Sequence, residues 1–322
     1  MTPWPGSRGR RSPIPSSPST ILLFHNAMSH SEPPITIGVL ALQGAFSEHT
    51  QLLRRAASQI QSRPTAAAAK PNDEPTTTSS RPSFNFLEVR TPEQLHQCDA
   101  LILPGGESTT ISLVAQRSQL LEPLRSFVKV QRKPVWGTCA GLILLSESAN
   151  KVKRGGQELI GGLDVRVNRN HFGRQTESFE VGLDLPFLDD EGKGKPFHSV
   201  FIRAPVVEKI LPHKSGVQDE EARREETIVA PSRPPADEAA RAAVRWEVEV
   251  MARLPGAARA ISKSEETARE LGEEGDIIAV RQGNVFGTSF HPELTGDERM
   301  HVWWLGEVLR AVRERRDVAQ EG

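Results

Sequence analysis

The stretch Gly137-Thr138-Cys139-Ala140-Gly141 decides the fold of this 322-residue chain. Residues 133–136 (Lys-Pro-Val-Trp) form a short apolar segment opened by proline, which predicts a buried strand. Residues 142–145 (Leu-Ile-Leu-Leu) are apolar enough to be the inner face of a helix. A strand, then Gly-x-Cys-x-Gly, then a helix is the nucleophile-elbow pattern with cysteine in the place of serine.

This pattern suits a cysteine that acts as a nucleophile. On a sharp strand-to-helix turn the side chain is held in a strained, exposed position, and glycine neighbours allow the backbone to approach closely. The N-terminus of the following helix favours the thiolate, which is the nucleophilic form. A lone cysteine is more often a buried core residue, but the flanking glycines favour a catalytic role. Cys139 is therefore the candidate nucleophile.

Composition limits the class of protein. Hydrophobic residues make up 37% and charged residues 25%, as in a soluble globular protein, and a net charge of −1 gives no sign of a nucleic-acid partner. Two cysteines, Cys98 and Cys139, are too few for a disulfide framework and lack metal-ligand spacing. No stretch approaches the roughly 18 apolar residues of a membrane span. We expect no metal site, no membrane partner and a reducing, cytoplasmic location.

The chain is expected to hold one domain, 35–312, with a tail at each end. Residues 1–34 are rich in Ser, Pro and Arg and cannot bury enough apolar surface to fold. They are expected to be a disordered tail or a spurious start upstream of Met28; a mitochondrial transit peptide is the alternative, against which the prolines argue. Residues 313–322 are expected to be a C-terminal tail. Three inserts are expected within the domain, the second of them mostly mobile: 61–83, 213–244 and 255–274.

Strands alternate with helices up to the elbow, which indicates βαβ units and a mostly parallel sheet. The predicted strands there are 35–42, 84–90 and 99–104, and the predicted helices are 46–60 and a segment through Leu113 and Leu120 to Val130. Later segments indicate an antiparallel extension, a hairpin and a closing helix. They are 162–167, 178–181, 199–202, 246–254, 276–281 with 285–290, and 297–312. The expected fold is an α/β three-layer sandwich.

His291-Pro292-Glu293 supplies what a cysteine nucleophile requires. The base needs a neighbouring group that fixes its tautomer, and proline stiffens the segment so that both side chains can point the same way. His-x-Glu alone is common on surfaces. Its position directly after a predicted strand favours a catalytic pair, with His291 as base and Glu293 as its partner.

Acyl transfer also needs donors for the developing oxyanion. In an elbow one donor is the backbone N–H after the nucleophile, here that of Ala140. Gly105 and Gly106, after another predicted strand, are the candidate second donors. A phosphate-binding loop at 104–109 is excluded because no Gly-Lys-Ser/Thr follows and an acidic residue occupies the position of the phosphate. A simple tight turn remains the alternative.

Taken together, the elbow and the His-Pro-Glu segment resemble the class I, triad-type glutamine amidotransferases. Ala140 and Ile143 depart from the Cys-Leu-Gly-x-Gln of many members, and the resemblance is closest to the glutaminase-subunit branch of pyridoxal 5′-phosphate synthase. Four further stretches support it: 38–45, 103–110, 169–175 and 201–205. The resemblance covers 35–60, 84–212, 246–254 and 276–312.

The resemblance implies a role for each matching residue. Cys139, His291 and Glu293 form the triad, and Gln43 helps to organise the oxyanion hole of Gly105, Gly106 and Ala140 when a partner docks. An arginine fork suits the α-carboxylate of glutamine, and Glu107 suits its α-ammonium group. An isolated arginine is more often a solvated surface charge. The implied glutamine-binding residues are Gly106, Glu107, Ser108, Arg169, Ile202 and Arg203.

The implied activity is hydrolysis of L-glutamine to glutamate and ammonia. The ammonia passes to a separate synthase subunit in a hetero-oligomer, so pyridoxal 5′-phosphate is a product of the complex and not a cofactor of this chain. Two alternatives stay open: a non-catalytic regulatory paralogue that binds the synthase, and a free-standing γ-glutamyl hydrolase. Dependence of activity on the synthase separates them.

Overall fold

The computed structural model of the chain describes residues 33–63, 81–151, 157–169, 178–188, 194–254 and 276–321, together with Met1. All of them except Met1 belong to one compact unit, Glu32–Gly322. Several expectations therefore lie outside the described residues. They concern nearly all of the 1–34 tail, most of the 61–83 and 255–274 inserts, and residues 170–175 of one supporting motif.

The described elements alternate as the sequence predicts in the first half of the chain. The strands are β1 Ile35–Leu40, β2 Phe84–Val89, β3 Ala100–Leu103, β4 Val135–Thr138, β5 Ser146–Asn150, β6 Leu163–Asn168, β7 Ser178–Leu183, β8 Phe197–Ile202, β9 Val206–Ile210, β10 Thr227–Val229, β11 Glu249–Arg253, β12 Ile277–Gln282 and β13 Val285–Thr288. The α-helices are α1 Phe46–Ser62, α2 Pro92–His96, α3 Ser108–Arg117, α4 Leu121–Arg125, α5 Ala140–Leu145, α6 Asp219–Ala222, α7 Glu238–Ala242 and α8 Arg299–Glu321. A π-helical turn, Ser126–Val130, follows α4, and 3-10 turns lie at Pro186–Leu188 and Pro292–Leu294.

Eleven strands of the described chain form one sheet. Its order is β10-β5-β6-β9-β12-β13-β4-β3-β1-β2, with β11 paired to β12 off this path. The block from β13 to β2 is parallel throughout. Antiparallel pairing joins β6 to β9, β9 to β12 and β12 to β13, while β7 and β8 form a separate antiparallel pair. The predicted mostly parallel α/β sheet with an antiparallel extension is confirmed.

The core lies on both faces of this sheet. Successive residues of a strand point to opposite faces, and in β3 Ala100 and Ile102 join one apolar cluster while Leu101 and Leu103 join the other. Helices α1 and α8 cover the first face, and α3, α4 and α5 cover the second. Both faces of the parallel strands are therefore buried, which explains why β1 and β3 read as continuous apolar runs.

Parallel pairing brings several strand ends to one edge of the sheet. Strands β1, β3, β4 and β13 all end at this carboxyl edge. Strand β12 runs the opposite way, with Ala279 beside Thr288, so it starts at the same edge. There the Leu254 N–H donates to the Asp276 carbonyl at 2.8 Å, which ties the start of β12 to the end of β11. The start of β2 lies at the opposite, amino edge, where Ile35 pairs with Phe84.

Three expectations differ from the structure. The helix predicted up to Val130 is broken after α3, because Gln119 has a left-handed φ of 58° and α4 starts afresh. Residues 213–244, expected to be mostly mobile, contribute β10 to the main sheet and bury Glu221 against Arg166 at 2.7 Å. The closing helix, expected to end at Val312, runs on through good helix formers to Glu321, so the expected tail is helical.

No α-helix in the described part of the chain has the length and apolar character that spanning a membrane requires.

Candidate active site

The predicted elbow is present between β4 and α5. Cys139 has φ 48° and ψ −99°, a strained left-handed backbone for a residue with a side chain, and its N–H donates to the Thr288 carbonyl at 2.7 Å. Neither flanking glycine leaves room for a side chain. A Cβ on Gly137 would lie 2.5 Å from the Gly141 carbonyl carbon, and one on Gly141 would lie 2.1 Å from the Leu103 carbonyl oxygen. The side chain is less open than expected, since Cys139 is only 7% exposed.

The base lies beside the thiol. His291 follows β13 after two residues, and its Nδ1 hydrogen-bonds to Glu293 Oε1 at 2.7 Å. Its ring lies near Cys139, since a Cβ on Gly105 would be 2.3 Å from His291 Cε1 and 3.4 Å from Cys139 Cβ. Burial lowers the pKa of His291, but the hydrogen bonds and negative charges of Cys139 and Glu293 outweigh it and raise the pKa to about 10. The structure thus brings the three predicted triad residues together in the order thiol, imidazole, carboxylate.

Glu293 is almost fully buried, at 4% exposure. Burial raises the pKa of its carboxyl, but the neighbouring His49 and His291 lower it more strongly, so the net shift is downward. The carboxylate therefore stays ionised and favours the imidazolium form of His291.

The loops after β1 and β3 interlock above the thiol. A Cβ on Gly105 would lie 2.3 Å from His291 Cε1, and one on Gly44 would lie 1.7 Å from the Gly105 carbonyl oxygen. The Gln43 Oε1 accepts a hydrogen bond from the Glu107 N–H at 2.8 Å, and Gly106 between them has φ 155°. Gly105 therefore lies beside His291 and Cys139, and Gly106 beside Gln43, while the fully buried Ala140 begins α5 directly after Cys139.

A second group surrounds the N-terminus of α3. Glu107 caps this helix, accepting from the N–H groups of Thr109 at 3.1 Å and Thr110 at 2.6 Å. Arg169 Nη2 donates to Ser108 Oγ at 2.8 Å and to Thr109 Oγ1 at 3.1 Å, and it lies 3.8 Å from Glu107 Oε1. Burial lowers the pKa of Arg169, against the opposing charge of Glu107. The structure thus brings together Glu107, Ser108 and Arg169.

Ile202 and Arg203 join the site less directly. They lie at and after the end of β8, where Ile202 is half-buried and Arg203 is exposed with φ 45°. Two residues earlier, the Val200 carbonyl accepts from the His291 N–H at 2.8 Å. Strand β8 therefore supports the backbone of the base, while the described contacts do not join Arg203 to Arg169 or Glu107.

Sequence reasoning missed a group behind the triad. His49 and His301 are fully buried, with His49 Nδ1 3.0 Å from His301 Nε2. His49 Nε2 lies 3.3 Å from Thr138 Oγ1 and 3.4 Å from Glu293 Oε2. The available signal was that His49 recurs with apolar residues on the buried face of α1, where a polar side chain needs a partner.

A comparison with known families matches the SNO glutamine amidotransferase family over residues 39–233 and 247–310. The match includes every candidate site residue named above. It leaves out the N-terminal stretch, residues 234–246 and the end of α8.

Individual relatives give the same picture. The chain is 38% identical to a probable pyridoxal 5′-phosphate synthase subunit PDX2 from Arabidopsis thaliana, over 84% of this chain and 85% of the relative. It is 36% identical to pyridoxal 5′-phosphate synthase subunit PdxT from Herpetosiphon aurantiacus, over 84% of this chain and all of that one. Among solved structures, a glutamine amidotransferase aligns with TM-score 0.51 and 33% identity, over 84% of this chain and 98% of that one.

Proposed function

Because this chain belongs to the SNO glutamine amidotransferase family, we propose that it is the glutaminase subunit of a pyridoxal 5′-phosphate synthase. It hydrolyses L-glutamine to glutamate and ammonia, and the ammonia is used by a separate synthase subunit. The observation that carries the assignment of the chemistry is the line of Cys139, His291 and Glu293 at the strained elbow.

The first half of the reaction follows from this arrangement. The Cys139 thiolate attacks the side-chain amide carbon of glutamine, and the oxyanion is stabilised by the Ala140 N–H and by the loop of Gly105 and Gly106. The His291 imidazolium then donates its proton to the amide nitrogen, so that ammonia leaves and a thioester remains. Glu293 fixes the imidazole through Nδ1 and stabilises its charged form.

The second half reverses the role of the base. Neutral His291 takes a proton from water, and the resulting hydroxide attacks the thioester carbon. The tetrahedral intermediate collapses with release of glutamate and return of the Cys139 thiolate beside an imidazolium. No group outside the chain, glutamine and water is needed to balance either half.

We assign glutamine recognition to the group at the N-terminus of α3. Arg169 is held by Ser108 and Thr109 and can offer its guanidinium to the α-carboxylate. Glu107 suits the α-ammonium group, although its carboxylate also caps α3. Gly106 lies in the same loop. Ile202 and Arg203, at the end of β8, are proposed to complete the glutamine-binding site.

The proposed setting is a hetero-oligomer with the synthase, without a nucleic-acid partner. Gln43, which holds the loop after β3 through the Glu107 N–H, is the proposed link between docking and the oxyanion hole. The two described thiols, Cys98 and Cys139, are both free, which fits a reducing compartment, and we propose the cytoplasm. We further propose that the glutaminase domain begins at residue 35 and extends through α8 to Glu321, and that the segments 61–83 and 255–274 are inserts.

The test is glutamate release from glutamine by the purified chain, with and without the synthase. We expect turnover with the synthase that is lost in Cys139→Ala and retained in Cys98→Ser, a matched control at a thiol remote from the triad. Equal turnover without the synthase indicates a free-standing hydrolase. Binding to the synthase with no turnover in either condition indicates the regulatory paralogue.

A further inference from the structure

We propose that His49 and His301 are positioning residues for this reaction: hydrogen-bonded to each other, they contact the second oxygen of Glu293 from a buried position and so orient Glu293 and His291. The inference rests on the proposed function, since it concerns the same triad. It assigns a role to two side chains that touch neither the thiol nor the described glutamine-binding group.

His301, His49 and Glu293 form a continuous series of side-chain contacts, although they are far apart in the amino-acid sequence. It runs from His301 Nε2 to His49 Nδ1 at 3.0 Å, and from His49 Nε2 to Glu293 Oε2 at 3.4 Å and Thr138 Oγ1 at 3.3 Å. His49 comes from α1 and His301 from α8, and both pack against the indole of Trp136, at ring distances of 5.6 and 5.0 Å. The other Glu293 oxygen, Oε1, already accepts from His291.

The network fixes one tautomer for each histidine. His49 Nε2 hydrogen-bonds to Thr138 Oγ1 and faces the ionised carboxylate of Glu293, which can only accept, so the proton of His49 is assigned to Nε2. The His49 Nδ1 then accepts, which requires the proton of His301 to be on Nε2. This leaves His301 Nδ1 as a bare acceptor, in agreement with its being buried without a hydrogen-bond partner. The N–H of each histidine therefore points towards the carboxylate.

Both histidines are held neutral by their surroundings. Burial lowers the pKa of His49, against the charges of Glu293 and Glu48, with His291 adding to the decrease. Burial lowers the pKa of His301 further, and the facing groups His49 and Arg55 act in the same direction. His49 therefore contacts Glu293 Oε2 while His291 hydrogen-bonds to Oε1, so the two imidazoles fix the carboxylate through different oxygens.

A packing role alone does not account for this arrangement. Two apolar side chains would fill the space between α1, α8 and Trp136 without the cost of desolvating two imidazoles. Instead, His49 Nε2 lies beside Glu293 Oε2, the carboxylate oxygen that is not hydrogen-bonded to His291. Glu293 Oε2 is buried without a hydrogen bond, so its charge depends on the His49 imidazole 3.4 Å away, and removing that imidazole raises the cost of keeping the carboxylate ionised.

The test compares His49→Phe with His49→Gln. Phenylalanine keeps a ring against Trp136 and removes the donor, whereas glutamine can place an N–H close to the position of Nε2. With the synthase present, we expect His49→Phe to lower kcat about 10- to 100-fold at little changed KM, by analogy with the loss of a side chain that orients a metal-binding histidine. We expect His49→Gln to recover most of that loss, and His96→Phe, at an exposed histidine, to match the wild type.

A second readout does not depend on glutaminase activity. The pH profile of Cys139 alkylation by iodoacetamide reports formation of the thiolate, and Cys98 does not interfere because burial raises its pKa to about 12. We expect the profile of His49→Phe to move to higher pH by about one unit, corresponding to a tenfold change, and that of His49→Gln to stay near the wild type. His301→Leu, one link further away, is expected to move it less in the same direction.

The outcomes separate the two proposals. Absence of turnover by the wild type with its synthase contradicts the proposed function. The alkylation profiles still test the positioning role of His49 and His301 in that case. Equal profiles for wild type and His49→Phe, or equal shifts for the phenylalanine and glutamine variants, contradict the positioning role. Should His49→Phe fail to fold, as judged by its thermal unfolding, the His301→Leu profile decides, and an unchanged profile overturns the proposal.

Discussion

The Gly105→Ala variant tests the active-site geometry most directly. The added methyl would lie 2.3 Å from His291 Cε1 and 2.8 Å from Nδ1, whereas ordinary contact begins near 3.4 Å. The loop cannot retreat to relieve this overlap, because the Gly105 carbonyl already fills the space where Gly44 would carry a Cβ. His291 must therefore shift by about 1 Å.

A shift of this size at a catalytic base costs about 100-fold in rate, or about 2.7 kcal/mol of transition-state stabilisation. The overlap does not involve Arg169, to which we assign glutamine binding, so we expect kcat to fall about 100-fold while KM changes little. The assay is initial-rate glutamate release with saturating synthase. The folded state is expected to survive, because the overlap is with one side chain and not with a strand.

Gly306→Ala is the matched control. Gly306 lies on the exposed side of α8 with nothing within 4 Å of an added Cβ, so the substitution is expected to leave kcat unchanged and raise helix stability by about 0.5–1 kcal/mol. A Gly105→Ala enzyme with wild-type kcat would refute the reasoning, because His291 would then not occupy this position in the working enzyme.

Three further predictions concern binding, stability and pH. Arg169→Lys loses a planar fork and is expected to raise the KM for glutamine about tenfold with kcat within about threefold, and steady-state kinetics that show a fall in kcat alone would contradict this. Lys129→Met leaves Glu147 without the partner that lies 2.7 Å away, and is expected to cost about 3–5 kcal/mol in urea unfolding; unchanged stability would show that this buried pair is not needed. The raised pKa of His291 predicts a contribution to stability that is fully present below pH 6.5 and lost as pH rises through about 10, so the Tm difference between wild type and His291→Gln should shrink over that interval.

Features that depend on neighbouring residues were predictable from the sequence. The glycines around Cys139 and the apolar runs of β1, β3 and β4 report local geometry and burial on both sheet faces, and the parallel core follows from them. The His291-Pro-Glu293 pair is also local, with its two side chains only two residues apart. These features carried the fold and the candidate triad.

Features that depend on distant contacts were not predictable. Residues 213–244 look like a solvated charged segment, but Glu221 is buried by Arg166 and Ser148, which lie more than 50 residues earlier. His49 and His301 are 252 residues apart. Their meeting depends on how α1 and α8 pack over one face of the sheet, and a single sequence has no periodicity that reports such a pair.

Residues 64–80 and 255–275 join the described structure at opposite edges of the sheet, which has a practical consequence for labelling and fusion. Residues 64–80 are joined to the structure between the end of α1 and the start of β2, at the amino edge, about 20 Å from the strand ends at which Cys139 lies. Residues 255–275 are joined between Leu254 and Asp276, at the carboxyl edge beside the segment that leads to His291. A fluorophore or affinity tag for following assembly with the synthase therefore belongs in the first stretch, and a crosslinker meant to report what approaches the active site belongs in the second.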